Sequence, residues 1–441
     1  MSKASENTID FLVEPGGRLS GKLRVPGDKS ISHRSVMLGS LAEGVTEVSG
    51  LLEGEDVLAT LEAFRAMGVD ATGPDNGRLV INGVGLHGLR APNNTLDMGN
   101  SGTAMRLMSG ILAGQDFDTE LTGDASLTRR PMNRVADPLR TMGAEIDTAE
   151  GGRPPLRIRG GRKLNGITYD MPVASAQVKS ALLLAGMYAE GETTVIEPAP
   201  TRDHTERMLR GFGYPVVKKG SVSSLEGGGR LKACNIDVPA DISSAAFFLV
   251  GASIAPNSDL VLEHVGINPT RIGVLHILQD MGADITLGNE RTIGGEPVAD
   301  IHVRSAQLKG IHIPEDQVPL AIDEFPVLFV AAACAAGTTV LTGARELRVK
   351  ESDRIAVMAE GLKRLGVAVQ ETEDGIIIKG GSIGGGEVDS HDDHRIAMAF
   401  AIAGLRASGP ITILDCRNVN TSFPNFVSLA HEAGLRIRQA G

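Results

Sequence analysis

Six times along the 441-residue chain, an amphipathic stretch ends in an apolar residue, a glycine and a second apolar or aromatic residue. The copies are Met67-Gly68-Val69, Met142-Gly143-Ala144, Phe212-Gly213-Tyr214, Met281-Gly282-Ala283, Leu365-Gly366-Val367 and Ala433-Gly434-Leu435, with glycine-to-glycine steps of 75, 70, 69, 84 and 68. A glycine just past the last turn marks a helix C-terminus, because glycine takes the left-handed conformation at little cost. Upstream of each copy lies a more apolar helical stretch dense in Ala, Gly, Ser and Leu, such as Ser180–Gly186 or Phe329–Ala335. Each of these ends in a turn, and β-branched runs such as Thr193–Ile196, Thr338–Leu341 and Ile411–Leu414 follow. The repeating unit therefore reads strand, small-residue helix, strand, amphipathic helix, strand, strand. Six such units predict an α/β protein, and they divide into two sets of three near Val238-Pro239, which suggests two lobes with a cleft between them.

The repeat accounts for an odd composition. Glycine contributes 55 residues and aromatics only 3%, with no tryptophan. There is no G-X-Y period and hydrophobics reach 42%, so neither collagen nor disorder fits. A helix that is apolar all round is buried, and small residues let such helices pack closely without aromatics. The net charge of −11 and the missing stacking platforms argue against nucleic acid, though a local basic pocket for a small anion stays open. Cys234, Cys334 and Cys416 form no pairing framework. Met1 to Asp10 is polar and lacks a signal peptide's apolar core, and the best apolar run, Phe325–Ala336, is too short to span a bilayer. These features predict a soluble, cytoplasmic protein.

The residues opening each small-residue helix are polar, small and often basic: Pro26–Arg34, Met98–Arg106, Pro172–Lys179, Pro239–Ser244, Ala321–Pro326 and Ser390–Arg395. Helix N-termini carry free N–H groups and partial positive charge, so several of them together would bind anions. Capping alone explains the Ser, Asp and Asn residues. It does not explain Lys29, Arg34, Arg106, Arg130, Lys350, Arg354 and Arg395, because cations there oppose the dipole. Ser126–Met132 is expected to open a further helix with Pro131 in its first turn. In Thr201–Glu206, Asp203 as N-cap with Glu206 three residues on reads as a capping box, which leaves Arg202 unexplained. His391-Asp392-Asp393-His394 has no metal-site spacing. Gly27-Asp28-Lys29-Ser30 imitates a P-loop, but Asp28 breaks the Gly-Lys-Ser order and Leu23 stands where the earlier glycine belongs.

Seven longer motifs make the chain resemble the 5-enolpyruvylshikimate-3-phosphate synthase family over essentially its whole length. They are Pro-Gly-Asp-Lys-Ser-Ile-Ser-His-Arg (26–34), Gly-Asn-Ser-Gly-Thr-Ala-Met-Arg (99–106), Arg-Arg-Pro-Met (129–132), Ser-Ala-Gln-Val-Lys-Ser-Ala (175–181), Leu-Arg-Val-Lys-Glu-Ser-Asp-Arg (347–354), Asp-His-Arg-Ile-Ala-Met (393–398) and Thr-Ser-Phe-Pro (421–424). The resemblance implies two lobes of three βαβαββ units about a pseudo-threefold axis with the active site in the cleft. It places one lobe at 25–239 and the other at 1–24 plus 240–441. It implies a monomeric enzyme, without metal or organic cofactor, that joins the enolpyruvyl group of phosphoenolpyruvate to the 5-hydroxyl of shikimate 3-phosphate and releases phosphate, a step towards chorismate and the aromatic amino acids.

The resemblance also assigns roles. Lys29, Ser30, Arg34, Ser175, Ala176, Gln177, Arg202, Asp323 and Lys350 would hold shikimate 3-phosphate. Lys29, Gly102, Arg130, Gln177, Arg354 and Arg395 would hold phosphoenolpyruvate. Asp323 would take the 5-hydroxyl proton, and Glu351 or Lys29 would protonate the methylene carbon. Leu107, Ala176 and Thr421 depart from the plant and enteric branch, while Arg202–Glu206 matches a bacterial branch. Gly102 stands where insensitive members carry Ala, so glyphosate is expected to compete with phosphoenolpyruvate. UDP-N-acetylglucosamine enolpyruvyl transferases share the fold, but their loop Cys is absent from Gln115–Met132. A non-catalytic anion-binding scaffold would not need both Asp323 and Glu351.

Overall fold

The computed structural model describes residues 9–440; the first part of the segment 1–24 and the chain's last residue lie outside the described residues. The chain divides into two compact units. One takes the described residues up to Pro26 together with Pro239–Thr292 and those from Pro297 onward; the other takes Gly27–Val238 and Ile293–Glu296.

Twelve α-helices alternate between two kinds among the described residues. They are α1 (Lys29–Leu41), α2 (Glu55–Ala66), α3 (Gly102–Leu112), α4 (Asn133–Thr141), α5 (Ala176–Gly186), α6 (His204–Gly211), α7 (Ile242–Ile254), α8 (Gly273–Asp280), α9 (Phe325–Cys334), α10 (Arg354–Arg364), α11 (His394–Ala403) and α12 (Phe426–Ala433). The odd-numbered helices are the small-residue ones, and they are the buried ones. Every residue of α7 is buried, as are Phe325–Ala333 of α9. In the unit containing Pro239–Thr292, α7, α9 and α11 pack on one another; in the unit Gly27–Val238, α3 packs on α5. Small residues set that spacing: a Cβ on Gly110 of α3 would lie 2.2 Å from the Ala181 carbonyl oxygen of α5.

The even-numbered helices are the amphipathic ones, and each stops at its expected glycine. Gly68, Gly143, Gly213, Gly282, Gly366 and Gly434 all have φ between 79° and 115°, where an L side chain is strained. Among the described residues, six small sheets accompany the helices, and five of them have four strands in one pattern. Thr168–Asp170 pairs parallel with Glu192–Ile196, which pairs antiparallel with Val222–Glu226, which pairs with Val217–Lys219. That is the predicted unit: the strands flanking α5 run parallel, and the two after α6 form a hairpin. Strands from the chain's start complete two sheets of the unit that contains α7 to α12. Asp10–Gly17 lies between Ile411–Leu414 and Leu435–Ala440, and Ser20–Leu23 runs beside Asp259–Gly266.

Two local expectations are corrected. Pro131 is not in the first turn of a helix: a short 3-10 turn spans Leu127–Arg129 and α4 begins only at Asn133, with Met132 at its N-cap. Asp203 does stand at the N-cap of α6, but its side chain makes no cap hydrogen bond; it accepts instead from Arg207 Nε at 2.8 Å. Glu206 likewise turns away from the helix end, towards Lys179 at 2.8 Å. Charged partners outcompete the capping box because a buried carboxylate needs a cation more than a helix end needs an acceptor.

Candidate active site

In the unit Gly27–Val238, helix fronts carry the predicted residues. Asp28 caps α1, accepting from Ile31 N at 2.8 Å, so the residue that breaks the P-loop order has its own use at the helix end. Lys29, the first residue of α1, forms an ion pair with the nearly buried Asp56 of α2. Ser30 contributes its carbonyl to Arg34 Nη1 at 2.9 Å. Arg34 is only 3% exposed. Its Nε donates to Thr205 Oγ1 at 2.7 Å and its Nη2 to Ser180 Oγ at 2.8 Å. Burial lowers its pKa to about 10, against the opposing pull of Glu206 and Asp28; Arg202 is among the cations that it feels. His33, immediately before it and one turn after Lys29, is buried too. Burial, then the charges of Lys29 and Arg34, push its pKa well below the ordinary histidine value.

The fronts of α3 and α5 meet. Ser101 caps α3 and Ser175 caps α5, accepting from Ala104 N and Val178 N at 3.1 and 3.4 Å. Ala176 opens α5. Gln177 accepts from Arg106 Nη1 at 2.6 Å and donates to Thr103 Oγ1 at 2.9 Å, so it joins the two helix fronts. Arg130 Nη2 donates to Asn100 Oδ1 at 2.7 Å and to Ser126 Oγ at 3.1 Å. A methyl on Gly102 would lie 2.9 Å from Arg106 Nη1 and 3.4 Å from Arg130 Nη1. Two guanidinium groups therefore converge on a bare backbone at a helix N-terminus, an arrangement suited to a phosphate or carboxylate.

Beneath the front of α5 lies an ionic cluster that sequence reasoning missed. Lys179 Nζ, fully buried, pairs with Glu197 Oε1 at 2.9 Å and Glu206 Oε1 at 2.8 Å. Glu197 also accepts from Thr201 N at 3.1 Å and from Lys218. Burial would raise the Glu197 pKa, but Lys179, Lys218 and Thr201 outweigh it and hold the carboxyl below its usual range. Glu197 thereby anchors the loop that carries Arg202. His204 completes the motif, its Nδ1 sharing a 2.8 Å hydrogen bond with Glu296.

The other unit holds a second set. Arg354, the first residue of α10, is 1% exposed and lies among three carboxylates. Its Nη1 is 3.5 Å from Asp323 Oδ1, its Nη2 is 2.7 Å from Glu351 Oε2, and its Nε is 2.9 Å from Asp393 Oδ2. Burial lowers the guanidinium's pKa, yet Asp393, Glu351 and Asp323 together raise it above the ordinary arginine value. Lys350 Nζ stands 3.3 Å from Asp323 Oδ1. Arg395 enters through its backbone, its N–H donating to Asp393 Oδ1 at 2.9 Å. Asp323, Lys350, Glu351 and Arg354 thus form one network, which neighbours in sequence do not guarantee. Asp393 and Asp56 were not foreseen: each reads as an ordinary acid at a helix start. Thr421, a departure from the plant and enteric branch, is buried, and its hydroxyl donates to the Asn418 carbonyl at 2.7 Å.

A family model for EPSP synthase (3-phosphoshikimate 1-carboxyvinyltransferase) matches residues 13–429. The chain belongs to the EPSP synthase family. It is 68% identical over 432 residues to the 3-phosphoshikimate 1-carboxyvinyltransferase of Methylococcus capsulatus, covering 98% of this chain and 99% of that one. It is 69% identical over 430 residues to the enzyme of that name from Alkalilimnicola ehrlichii, covering 97% and 96%. Among solved structures, an EPSP synthase from Acinetobacter baumannii superposes with a TM-score of 0.90 at 63% identity, over 98% of this chain and all of that one. Among the described residues, no helix is long and apolar enough to cross a membrane.

Proposed function

We infer that this EPSP synthase family member catalyses enolpyruvyl transfer from phosphoenolpyruvate to the 5-hydroxyl of shikimate 3-phosphate, releasing phosphate, with the residue roles that follow. The observation that carries those roles is the network of Asp323, Lys350, Glu351 and Arg354. It holds two carboxylates and two cations together, which acid–base chemistry on anions requires and anion binding alone does not. Asp323 takes the proton from the 5-hydroxyl as its oxygen bonds to C2 of phosphoenolpyruvate. Glu351 or Lys29 protonates the methylene carbon, giving a tetrahedral intermediate. The group that gave the proton then takes one back from the methyl as phosphate leaves, which restores the double bond. Lys350 and Asp323 hold the shikimate ring, with Lys29, Ser30, Arg34, Ser175, Ala176, Gln177 and Arg202. Lys29, Gly102, Arg130, Gln177, Arg354 and Arg395 hold phosphoenolpyruvate. Arginine forks suit its planar carboxylate and tetrahedral phosphate. The enzyme works as a cytoplasmic monomer.

The Arg34 geometry refines its role. With Nε, Nη1 and Nη2 each donating once within the protein, Arg34 also fixes Ser30 and Thr205, and its two remaining N–H groups and its charge serve the substrate. The test is phosphate release measured with each substrate alone and with both together. Release that requires both supports the reading; release from either alone contradicts it.

A further inference from the structure

Asp393 holds more of this site together than its sequence context suggests. It is fully buried, so it does not meet substrate, and both of its oxygens are used. Oδ2 accepts from Arg354 Nε and from Ser352 Oγ, both at 2.9 Å. Oδ1 accepts from Arg354 Nη2 at 3.3 Å and from the Arg395 backbone N–H at 2.9 Å. One carboxylate thereby grips the guanidinium along its Nε edge, accepts from Ser352 two residues before Arg354, and caps α11, of which Arg395 is the second residue.

The other two carboxylates around Arg354 differ in kind. The Asp393 side chain is 0% exposed, whereas Asp323 is 15% and Glu351 27% exposed. Both partly exposed ones meet the Nη nitrogens, at 3.5 and 2.7 Å. The Nη nitrogens are thus already met by two partly exposed carboxylates, and an anion that binds Arg354 on this edge takes a place that one of them now holds.

We propose that Asp393 is a positioning residue that holds Arg354 by its Nε edge, so that an anionic group of phosphoenolpyruvate replaces Glu351 and Asp323 on the Nη edge without moving the guanidinium. This rests on reading Arg354 as a phosphoenolpyruvate ligand. The exchange releases both reactive carboxylates from the guanidinium at the moment the donor arrives, which couples donor binding to their availability. Burial alone would raise the Asp393 carboxyl; Arg354 outweighs it and keeps the carboxyl below the ordinary aspartate range, so the fixed edge stays charged.

The test is a double-mutant cycle on KM for each substrate, with Asp393→Asn, Arg354→Ala and the double variant. Asp393→Asn should raise the KM for phosphoenolpyruvate about tenfold or more, and the KM for shikimate 3-phosphate by less than about twofold. In the Arg354→Ala background, adding Asp393→Asn should change nothing further. An unchanged phosphoenolpyruvate KM in Asp393→Asn, or effects that multiply in the double variant, would overturn the positioning role. An unchanged phosphoenolpyruvate KM in Arg354→Ala would instead overturn the donor reading on which it rests. If Asp393→Asn does not fold, Ser352→Ala removes one hydrogen bond to the same oxygen and leaves every charge in place. It should raise the phosphoenolpyruvate KM about threefold and leave that for shikimate 3-phosphate alone; equal changes in both would overturn the proposal.

Discussion

Gly102 sits where a side chain has little room, and the crowding atoms are the tips of two arginines rather than backbone. Arginine tips can shift, so Gly102→Ala should fold normally. It should raise the KM for phosphoenolpyruvate severalfold and weaken glyphosate inhibition more strongly; steady-state inhibition kinetics would read both, and an unchanged inhibition constant would contradict the placement. At Asp323 the expectation is chemical. Asp323→Asn should cut kcat by about 100- to 10,000-fold while substrate binding, followed by calorimetry, weakens far less. Equal losses in both would argue against a general base. His33 carries a pH signature. The unfolded chain binds its proton near the ordinary value of about 6.5, while the buried native ring resists it. Its contribution to stability is therefore complete above that pH and declines as pH falls below it, by at most about 1.4 kcal/mol per pH unit. His33→Gln should flatten the change in urea midpoint between pH 7 and pH 5 relative to the parent chain; parallel curves would exclude this role.

Helix fronts are where capping chemistry and site chemistry coincide. Asp28, Ser101, Ser175, Asp241, Asp353 and Asp393 each accept from a backbone N–H of the helix that they precede. The cap fixes the first turn, and the neighbouring cation is thereby aimed. The front of α7 shows the same parts without a site: Asp241 pairs with Arg271 at 3.0 Å, and Arg271 Nη2 donates to Ser243 Oγ at 2.7 Å. The sequence pattern alone does not separate it from the others. Element-level stability rests on Lys179, which ties α5 to α6 through Glu206 and to the loop just after the strand Glu192–Ile196 through Glu197. Lys179→Met would leave two carboxylates buried without their shared cation, a loss of about 3–5 kcal/mol that urea unfolding should register. A change under about 1 kcal/mol would mean that water or Lys218 compensates.

At the scale of the whole molecule, the two units differ in how the chain closes them. The six-unit reading places a boundary near Pro239, and the strands from the chain's start then belong with residues more than two hundred positions away. Asp10–Gly17 is a central strand, with partners on both sides. Removing residues 1–24 would strip it out and open the edges of Ile411–Leu414 and Leu435–Ala440, which are hydrogen-bonded strands with buried apolar faces. The truncated chain should be insoluble or lose cooperative thermal unfolding; a soluble, active truncation would show that these strands are dispensable.

What the sequence determined by itself is local and periodic. The helix-ending glycines follow from φ in all six units, the buried helices from their small apolar residues, and the capped fronts from Ser and Asp at five of the six small-residue helices; α9, preceded by Glu324, has no side-chain cap. Those rules act over about four residues. The tertiary structure alone decided which charge meets which. Asp56 finds Lys29, Glu206 leaves its helix end for Lys179, and Asp393 reaches Arg354 across 39 positions. A buried charge takes its partner from whatever the fold brings within about 4 Å, because burial without a partner costs more than any local preference returns.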